Sequence, residues 1–102
     1  MNINMLMQQA QKMQRELEKK KKELESKLFS FESNGGAIKI DIYGSKVVEK
    51  ITIDKDVIDP EDKEMLEDML KIAVNEAINK IDEEMEKVVS AATGGMNIPG
   101  LM

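Results

Sequence analysis

Residues 29–53, FSFESNGGAIKIDIYGSKVVEKITI, decide the fold of this 102-residue chain. Apolar and polar side chains alternate from Ile38 to Tyr43, which is the pattern of a strand with one buried face. Two turn signals bound this strand: Asn34-Gly35-Gly36, whose residues tolerate positive φ, precedes it, and Gly44-Ser45 follows it. The stretch therefore predicts a three-stranded antiparallel meander, with Phe29 and Phe31 on the first strand.

The third strand of the meander is expected from about Lys46 to Ile53. Ile51 and Ile53 share the parity of an inward face, and Val48 breaks it. Two explanations stay open. Either a β-bulge lies near Glu49, or Val48 lies on the outer face of the sheet.

A long amphipathic helix is predicted on each side of the meander. Before it, apolar residues recur at helical intervals from Ile3 to Leu28. After it, Asp59-Pro60-Glu61-Asp62 has the pattern of a helix start, with Asp59 as N-cap and Pro60 in the first helical position. The second apolar periodicity continues to about Ser90. The predicted fold class is therefore α+β, in the order α-β-β-β-α.

The lengths of these elements predict an oligomer. One domain is expected over residues 1–102, with residues 96–102 as a flexible tail without periodicity. Helices of roughly 27 and 30 residues span about 40 and 45 Å, whereas a seven-residue strand spans about 23 Å. Each helix must overhang the sheet, and apolar residues continue into the overhangs. We therefore expect a second copy of the chain to cover them in a homodimer.

Composition argues against most enzyme chemistries. The chain has no Cys and no His, which removes thiol nucleophiles, imidazole bases and the usual zinc sites. The acidic run from Asp54 does not match a calcium loop, because Asp59 stands where glycine is needed and Met65 where a bidentate Glu is needed. No segment approaches the roughly 20 apolar residues of a membrane span. We expect a cytoplasmic protein that is not an enzyme and has no metal, cofactor, small-molecule substrate or membrane partner.

Charge is distributed unevenly along the chain. Residues 1–30 carry seven Lys/Arg against four Glu, a net charge of +3, and residues 31–102 carry eight against sixteen Asp/Glu, a net charge of −8, which together give −5. Helical spacing places four of the cations on the solvent side of the first helix, opposite the apolar seam. These four residues, called the basic stripe below, are Lys12, Arg15, Lys19 and Lys22.

The basic stripe allows two interpretations. In the first it is a solvated helix face whose lysines pair with nearby glutamates, such as Glu18 with Lys22. In the second it contacts a polyanion, with Lys20, Lys21 and Lys27 as candidates to reinforce it. Duplex DNA is then favoured over single strands, because no aromatic side chain lies between the basic residues.

Seven short motifs carry a resemblance to a known family. They are Met7-Gln8-Gln9-Ala10-Gln11-Lys12-Met13-Gln14, Gly35-Gly36, Ile51-Thr52-Ile53-Asp54, Asp59-Pro60-Glu61-Asp62, Glu64-x-Leu66-Glu67-Asp68, Ala73-x-Asn75-x-Ala77 and Gly94-Gly95-Met96-Asn97-Ile98-Pro99-Gly100. Their order, spacing and total length resemble the YbaB/EbfC family of bacterial nucleoid-associated proteins. The specificity comes from the combination, which covers almost the whole chain.

The resemblance implies a tweezer-shaped homodimer that binds duplex DNA in the nucleoid, with a role in chromosome organisation, replication and recombination. It implies DNA contacts from the helical arms, so we place them on the basic stripe, Lys12, Arg15, Lys19 and Lys22. The alternative function is an adaptor dimer for replication or recombination proteins with little direct DNA binding. The net charge of −8 on residues 31–102 and the Met-rich stripe of Met65, Met69 and Met85 on the second helix favour that alternative.

Overall fold

The computed structural model describes residues 2–92 and confirms the order of one helix, three strands and one helix. Met1 and residues 93–102, which include the expected tail at 96–102, lie outside the described residues. The elements are α1 (Ile3–Glu25), β1 (Leu28–Ser33), β2 (Ile38–Tyr43), β3 (Val48–Ile53) and α2 (Lys63–Ala92), with short 3-10 turns at Asn34–Gly36 and Lys55–Val57. The α+β fold class is therefore confirmed.

The three strands form one antiparallel sheet in the order β1-β2-β3. Phe31 pairs with Ile40, and Ile40 pairs with Ile51, so these side chains share one face of the sheet. The turn after β1 confirms the hairpin signal, because Asn34 and the two glycines that follow it have φ of 55°, 68° and 92°. The side-chain amide of Asn34 also donates to the carbonyl oxygen of Met69 at 3.1 Å, which fastens this turn to α2.

The third strand contains the predicted β-bulge. Asp41 pairs with Lys50, but the next residue, Ile42, pairs with Val48, so Glu49 is an extra residue on β3. Paired residues share a face. Val48 therefore lies on the same face as Ile42, and the explanation that placed Val48 on the outer face was wrong.

Glu49, the bulged residue, raises the pKa of the Tyr43 side chain. A hydrogen bond from the Tyr43 hydroxyl to the Glu49 carboxylate, together with the negative charge of that carboxylate and some desolvation, raises the pKa of Tyr43 above its ordinary value. The neutral tyrosine therefore persists to higher pH. Both residues lie near the β2–β3 turn.

The hydrophobic core lies between the sheet and α2. Six side chains in it are at most 2% exposed. They are Ile38, Ile40 and Ile42 on β2 and Ala73, Ala77 and Ile81 on α2. The small alanines let the helix approach the sheet closely, and each fully buried isoleucine stabilises the fold by about 1.5–3 kcal/mol.

The first helix is shorter than the sequence predicted, because it ends at Glu25 rather than near Leu28. Ser26 terminates it: the serine hydroxyl donates to the carbonyl oxygens of Lys22 and Glu23 at 3.1 and 3.2 Å. Leu28 begins β1 instead, with 45% of its surface exposed. Its helical spacing from the preceding leucines was therefore misleading.

Gly44 allows α1 to dock against the β2–β3 turn. A Cβ atom at this position would collide with the carbonyl group of Leu24, whose carbon atom would lie 2.6 Å away. Two hydrogen bonds hold the turn to the end of α1: the Gly44 N–H donates to the Lys27 carbonyl at 3.0 Å, and the Ser45 N–H donates to the Glu25 carbonyl at 3.1 Å. A side chain at this glycine would push the helix away from the sheet.

The second helix begins later than the sequence predicted. Asp59, the predicted N-cap, accepts a hydrogen bond from the Glu61 N–H at 2.9 Å inside a separate turn that contains Pro60. Asp62 caps the helix instead, because its carboxylate accepts from the Met65 N–H at 3.2 Å. The prediction failed because Asp59 and Asp62 are both suitable N-cap residues, and because a proline such as Pro60 fits a turn as well as a helix start.

Beyond the sheet, α1 pairs with the last part of α2 in an antiparallel arrangement. Leu24, next to the sheet, is only 8% exposed, and Ala92 lies beside Met13 farther out. Still farther out, Leu6 and Ile3 are 46% and 71% exposed, because no described residue of α2 lies next to them.

Two regions can therefore be separated by their packing. The body consists of the three strands and residues 63–81 of α2. The arm consists of α1 and residues 82–92 of α2. The molecule measures 71 × 29 × 16 Å, and both helices extend past the sheet, as their lengths predicted.

Candidate nucleic-acid interface

The basic stripe lies on the exposed surface of the arm. All four of its side chains are exposed and belong to α1. Arg15, Lys19 and Lys22 border one shallow groove together with Glu18. The first and last cations of the stripe are ten residues apart, about 15 Å along the helix. This distance is long enough to follow several phosphates of a duplex.

No ion pair within residues 2–92 engages the basic stripe. The ion pairs there join Lys39 to Glu32, Lys46 to Asp82, Lys71 to Asp68 and Lys87 to Glu84. The pairing of Glu18 with Lys22 that the sequence allowed is not formed. The four cations are therefore available to an anion outside this part of the chain.

Other basic residues near the start of the chain have different surroundings. Lys20 borders a cavity between the two helices, where Glu84 and Val88 line the opposite side. The ammonium of Lys27 lies 5.1 Å from the centre of the Phe29 ring, a favourable cation–π distance. Lys27 thus contacts an aromatic ring of its own chain, and Lys20 lies at the cavity between the helices.

The tertiary structure adds one cation to the arm that local sequence patterns could not place. Lys87 of α2 lines the same cavity as Lys20. Its ammonium lies 3.3 Å from the carboxylate of Glu84. Because α1 and the end of α2 are far apart in the sequence, only their packing brings these charges together.

Within residues 2–92, no helix is long and apolar enough to cross a membrane.

The arm also carries acidic residues, and lysines neutralise some of them. Asp82 lies 2.6 Å from the ammonium of Lys46, and Glu84 is paired with Lys87. Each pair reduces the repulsion that its carboxylate exerts on a nearby polyanion.

The apolar face of β3 is open. Val48 and Ile51 share a face with the buried isoleucines of β2, yet they are 39% and 41% exposed. The reason is that α2 packs mainly over β1 and β2. Ile58, which follows the third strand, is 52% exposed. The described part of the chain thus leaves an apolar strip at this edge of the sheet.

Comparison with known protein families identifies one that matches almost the whole chain. The sequence profile of the YbaB/EbfC DNA-binding family matches residues 1–96. The chain belongs to this family. YbaB/EbfC proteins bind DNA and are not a known class of enzymes.

Relatives support the assignment to the YbaB/EbfC family. A nucleoid-associated protein of Clostridium novyi is 46% identical over 101 residues, which cover 99% of this chain and 89% of that protein. A nucleoid-associated protein of Clostridium botulinum is 49% identical over 100 residues, which cover 98% of this chain and 88% of that protein. The crystal structure of an uncharacterized protein from Helicobacter pylori has the same fold, with a TM-score of 0.74 at 20% identity over 92% of this chain and 99% of that one.

Proposed function

We propose that this protein is a homodimer that binds duplex DNA in the nucleoid, mainly through phosphates, and organises or regulates the chromosome without catalysis. The observation that carries the proposal is the basic stripe. It presents four exposed cations along about 15 Å of α1, and no residue within 2–92 pairs with them. Membership of a DNA-binding family indicates which polyanion they contact.

The composition of the stripe favours contacts with phosphates over readout of bases. Lys and Arg neutralise phosphates and release condensed counterions, a contribution that is independent of sequence. Gln8, Gln11 and Gln14 lie near the stripe and are exposed, so they can add uncharged hydrogen bonds. Residues 31–102 carry a net charge of −8, and their repulsion of DNA makes the binding weak and sensitive to salt.

The open face of β3 supports the homodimer. Val48 and Ile51 form an apolar strip beside a strand edge that no other strand pairs within residues 2–92. An exposed apolar edge favours association, and a second copy offers an identical strip. Two copies bring two basic stripes into one particle.

The DNA proposal is tested by titrating a duplex at two salt concentrations. Two stripes would neutralise about four to eight phosphates, so log K should fall against log salt with a slope of about −4 to −7. The double variant Arg15→Glu/Lys19→Glu should bind at least about tenfold more weakly and with a smaller slope, for every duplex sequence.

The matched control is Lys71→Glu, which reverses a charge on the body, where the side chain of Lys71 is 71% exposed. It should leave binding nearly unchanged. Equal losses from the body and stripe variants would contradict the stripe as the contact surface. A wild-type dimer that binds no duplex at low salt would sink the proposal as a whole.

The dimer is tested separately by sizing in solution. Ile51→Asp places a charge in the proposed interface and should convert the dimer to a monomer. Thr52→Asp is the control, because Thr52 is exposed on the opposite face of the same strand. A wild-type monomer, or a dimer that tolerates Ile51→Asp, would contradict this interface.

One observation favours the adaptor as a second candidate function. Met65 and Ile72 on α2 are 39% and 44% exposed, and an exposed, flexible methionine suits promiscuous protein contacts. A pull-down from nuclease-treated extract separates the two functions. Retention of a replication or recombination protein without nucleic acid, combined with a failed duplex titration, would favour the adaptor.

A further inference from the structure

The solvent face of α1 that carries the basic stripe continues toward the start of the helix as a row of side-chain amides. At about 100° per residue, three amides lie within about 60° of the centre of the basic stripe and point away from the seam. These residues, called the amide row below, are Asn4, Gln8 and Gln11, and all three are exposed. One face of α1 therefore changes along its length from amides to cations.

Two features of the amide row suit contact with a ligand. Charged residues make up 34% of the chain, yet the first eleven residues contain none. The amides also have no internal task. The side chain of Asn2 caps α1 by accepting from the Asn4 N–H at 3.0 Å, whereas within residues 2–92 no hydrogen bond engages the side chain of Asn4, Gln8 or Gln11. Their donors and acceptors are therefore open to a molecule outside this part of the chain.

The chemistry of an amide matches the edge of a base better than a phosphate. Each Asn or Gln side chain offers two N–H donors and one carbonyl acceptor. It can form a bidentate pair with N6 and N7 of adenine, which the major groove exposes. A lysine would instead be attracted to the phosphates, and a carboxylate would be repelled by them. The amide row therefore supplies what the basic stripe lacks, which is a contact that depends on the base.

The dimensions of α1 allow both kinds of contact at once. The helix advances about 10 Å from Asn4 to Gln11, which is the length of about three base pairs at 3.4 Å each. A helix with its side chains is about 10–12 Å across, and the major groove is about 12 Å wide. With the amide row in the groove, the next cations along the same face, Lys12 and Arg15, come to the flanking phosphates.

We infer that Asn4, Gln8 and Gln11 determine specificity by reading adenines in the major groove, while the basic stripe holds the phosphates. The inference rests on the proposed duplex binding and adds a base preference to it. One bidentate pair discriminates against a wrong base by at least about fivefold. The preference should therefore be modest beside the electrostatic contribution of the stripe, and it should be separable from that contribution.

The test uses two duplexes of equal length, one with A·T and one with G·C in the central base pairs. At the same salt concentration, the full-length wild-type protein should bind the A·T duplex at least about fivefold more tightly. A third duplex carries 7-deazaadenine in place of the central adenines. This base has a C–H group at position 7 but keeps its Watson–Crick pairing and phosphates, so it should remove most of the preference.

The variant Gln8→Ala/Gln11→Ala should reduce the preference to within about twofold. Its salt slope should equal that of the wild type, because no cation is removed. The matched control is Gln9→Ala/Gln14→Ala, which removes two amides of the same helix at about 100° and 120° from the centre of the basic stripe. This control should keep the preference. Alanine favours a helix, so circular dichroism should show an intact fold for both variants.

The outcomes separate this inference from the proposed DNA binding. Equal binding of both duplexes by the wild type would overturn the base readout and leave the phosphate contacts standing. The readout also fails if Gln8→Ala/Gln11→Ala keeps the preference, if it weakens both duplexes equally, or if the control loses the preference as well. Failure to bind any duplex at low salt would overturn both proposals. A preference lost only in Gln8→Ala/Gln11→Ala, and only where N7 is present, supports the readout.

Discussion

The body and the arm of this molecule are built from the same helix, α2, but they bury very different amounts of side chain. In the body, six side chains are at most 2% exposed. In the arm, every α1 residue before Leu24 is at least partly exposed. A sheet covers a helix over a wide face, whereas a single partner helix covers only a narrow seam.

This difference separates stability from ligand binding. The body holds the buried area that stabilises the fold. The arm leaves the solvent side of α1 open, and there the basic stripe is free of ion pairs within residues 2–92. A surface of this kind can lose charges without losing the fold, so the two regions should respond differently to substitution.

The largest loss of stability is expected from a substitution in the centre of the body. Ile40 is 1% exposed, and Ile40→Ala leaves a cavity between the sheet and α2. The free energy of unfolding should fall by about 2–5 kcal/mol, as measured by urea denaturation. Thr52→Ala, at an exposed position of the same sheet, should cost under about 0.5 kcal/mol. Equal costs would mean that the body is not the stabilising region.

The second-largest loss of stability is expected from a substitution where the arm meets the body. Gly44→Ala places a Cβ against the backbone carbonyl of Leu24, which must shift. The free energy of unfolding should fall by about 1–3 kcal/mol. Gly35→Ala provides the comparison, because its Cβ would meet no atom within 4 Å although its φ is 68°. It should cost about 1 kcal/mol from backbone strain alone.

A smaller effect is expected within the arm. Leu17 is half-buried in the seam between α1 and α2. Leu17→Ala should lower the free energy of unfolding by about 1–2 kcal/mol, because only part of the side chain leaves water on folding. Hydrogen exchange should accelerate along α1 before it accelerates in β2. The exposed neighbour gives the control, since Gln14→Ala should change neither quantity. A loss as large as that of Ile40→Ala would erase the distinction between the regions.

The smallest effect is expected at a surface ion pair that ties the β2–β3 turn to the start of the arm. Lys46 and Asp82 are 2.6 Å apart, but their side chains are 47% and 52% exposed. Lys46→Ala should therefore cost at most about 1 kcal/mol, and less at high salt. A double-mutant cycle with Asp82→Asn isolates the pair from other contributions. A coupling of several kcal/mol would show that this contact, rather than the seam, holds the arm.

Sequence patterns predicted the elements well and their ends less well. The period-two alternation of β2 predicted Ile38–Tyr43 correctly. The broken parity at Val48 indicated either a bulge near Glu49 or an outward Val48, and the bulge is confirmed. The helix ends were wrong where two signals competed. Leu28 continued a helical spacing although it begins β1, and Asp59 competed with Asp62 as a cap.

The candidate site was predictable only in part. The stripe cations are close in sequence on one helix, so helical spacing was enough to place Arg15 and Lys19 on one exposed face. Spacing could not show whether Lys22 pairs with Glu18, because that depends on the rotamers of both side chains. It also could not place Lys87 beside Lys20, because that depends on the packing of α1 on α2.

The sequence by itself determined the order of the elements, the inward faces of β1 and β2 and the position of the basic stripe, because these depend on local periodicity and turn chemistry. Tertiary structure alone decided how far α2 covers α1 and which strand it leaves open. Those features depend on packing between residues far apart in the chain, such as Met13 and Ala92, which line one cavity. For that reason the open face of β3 and the degree of exposure of Ile3 and Leu6 could be established only from the folded molecule.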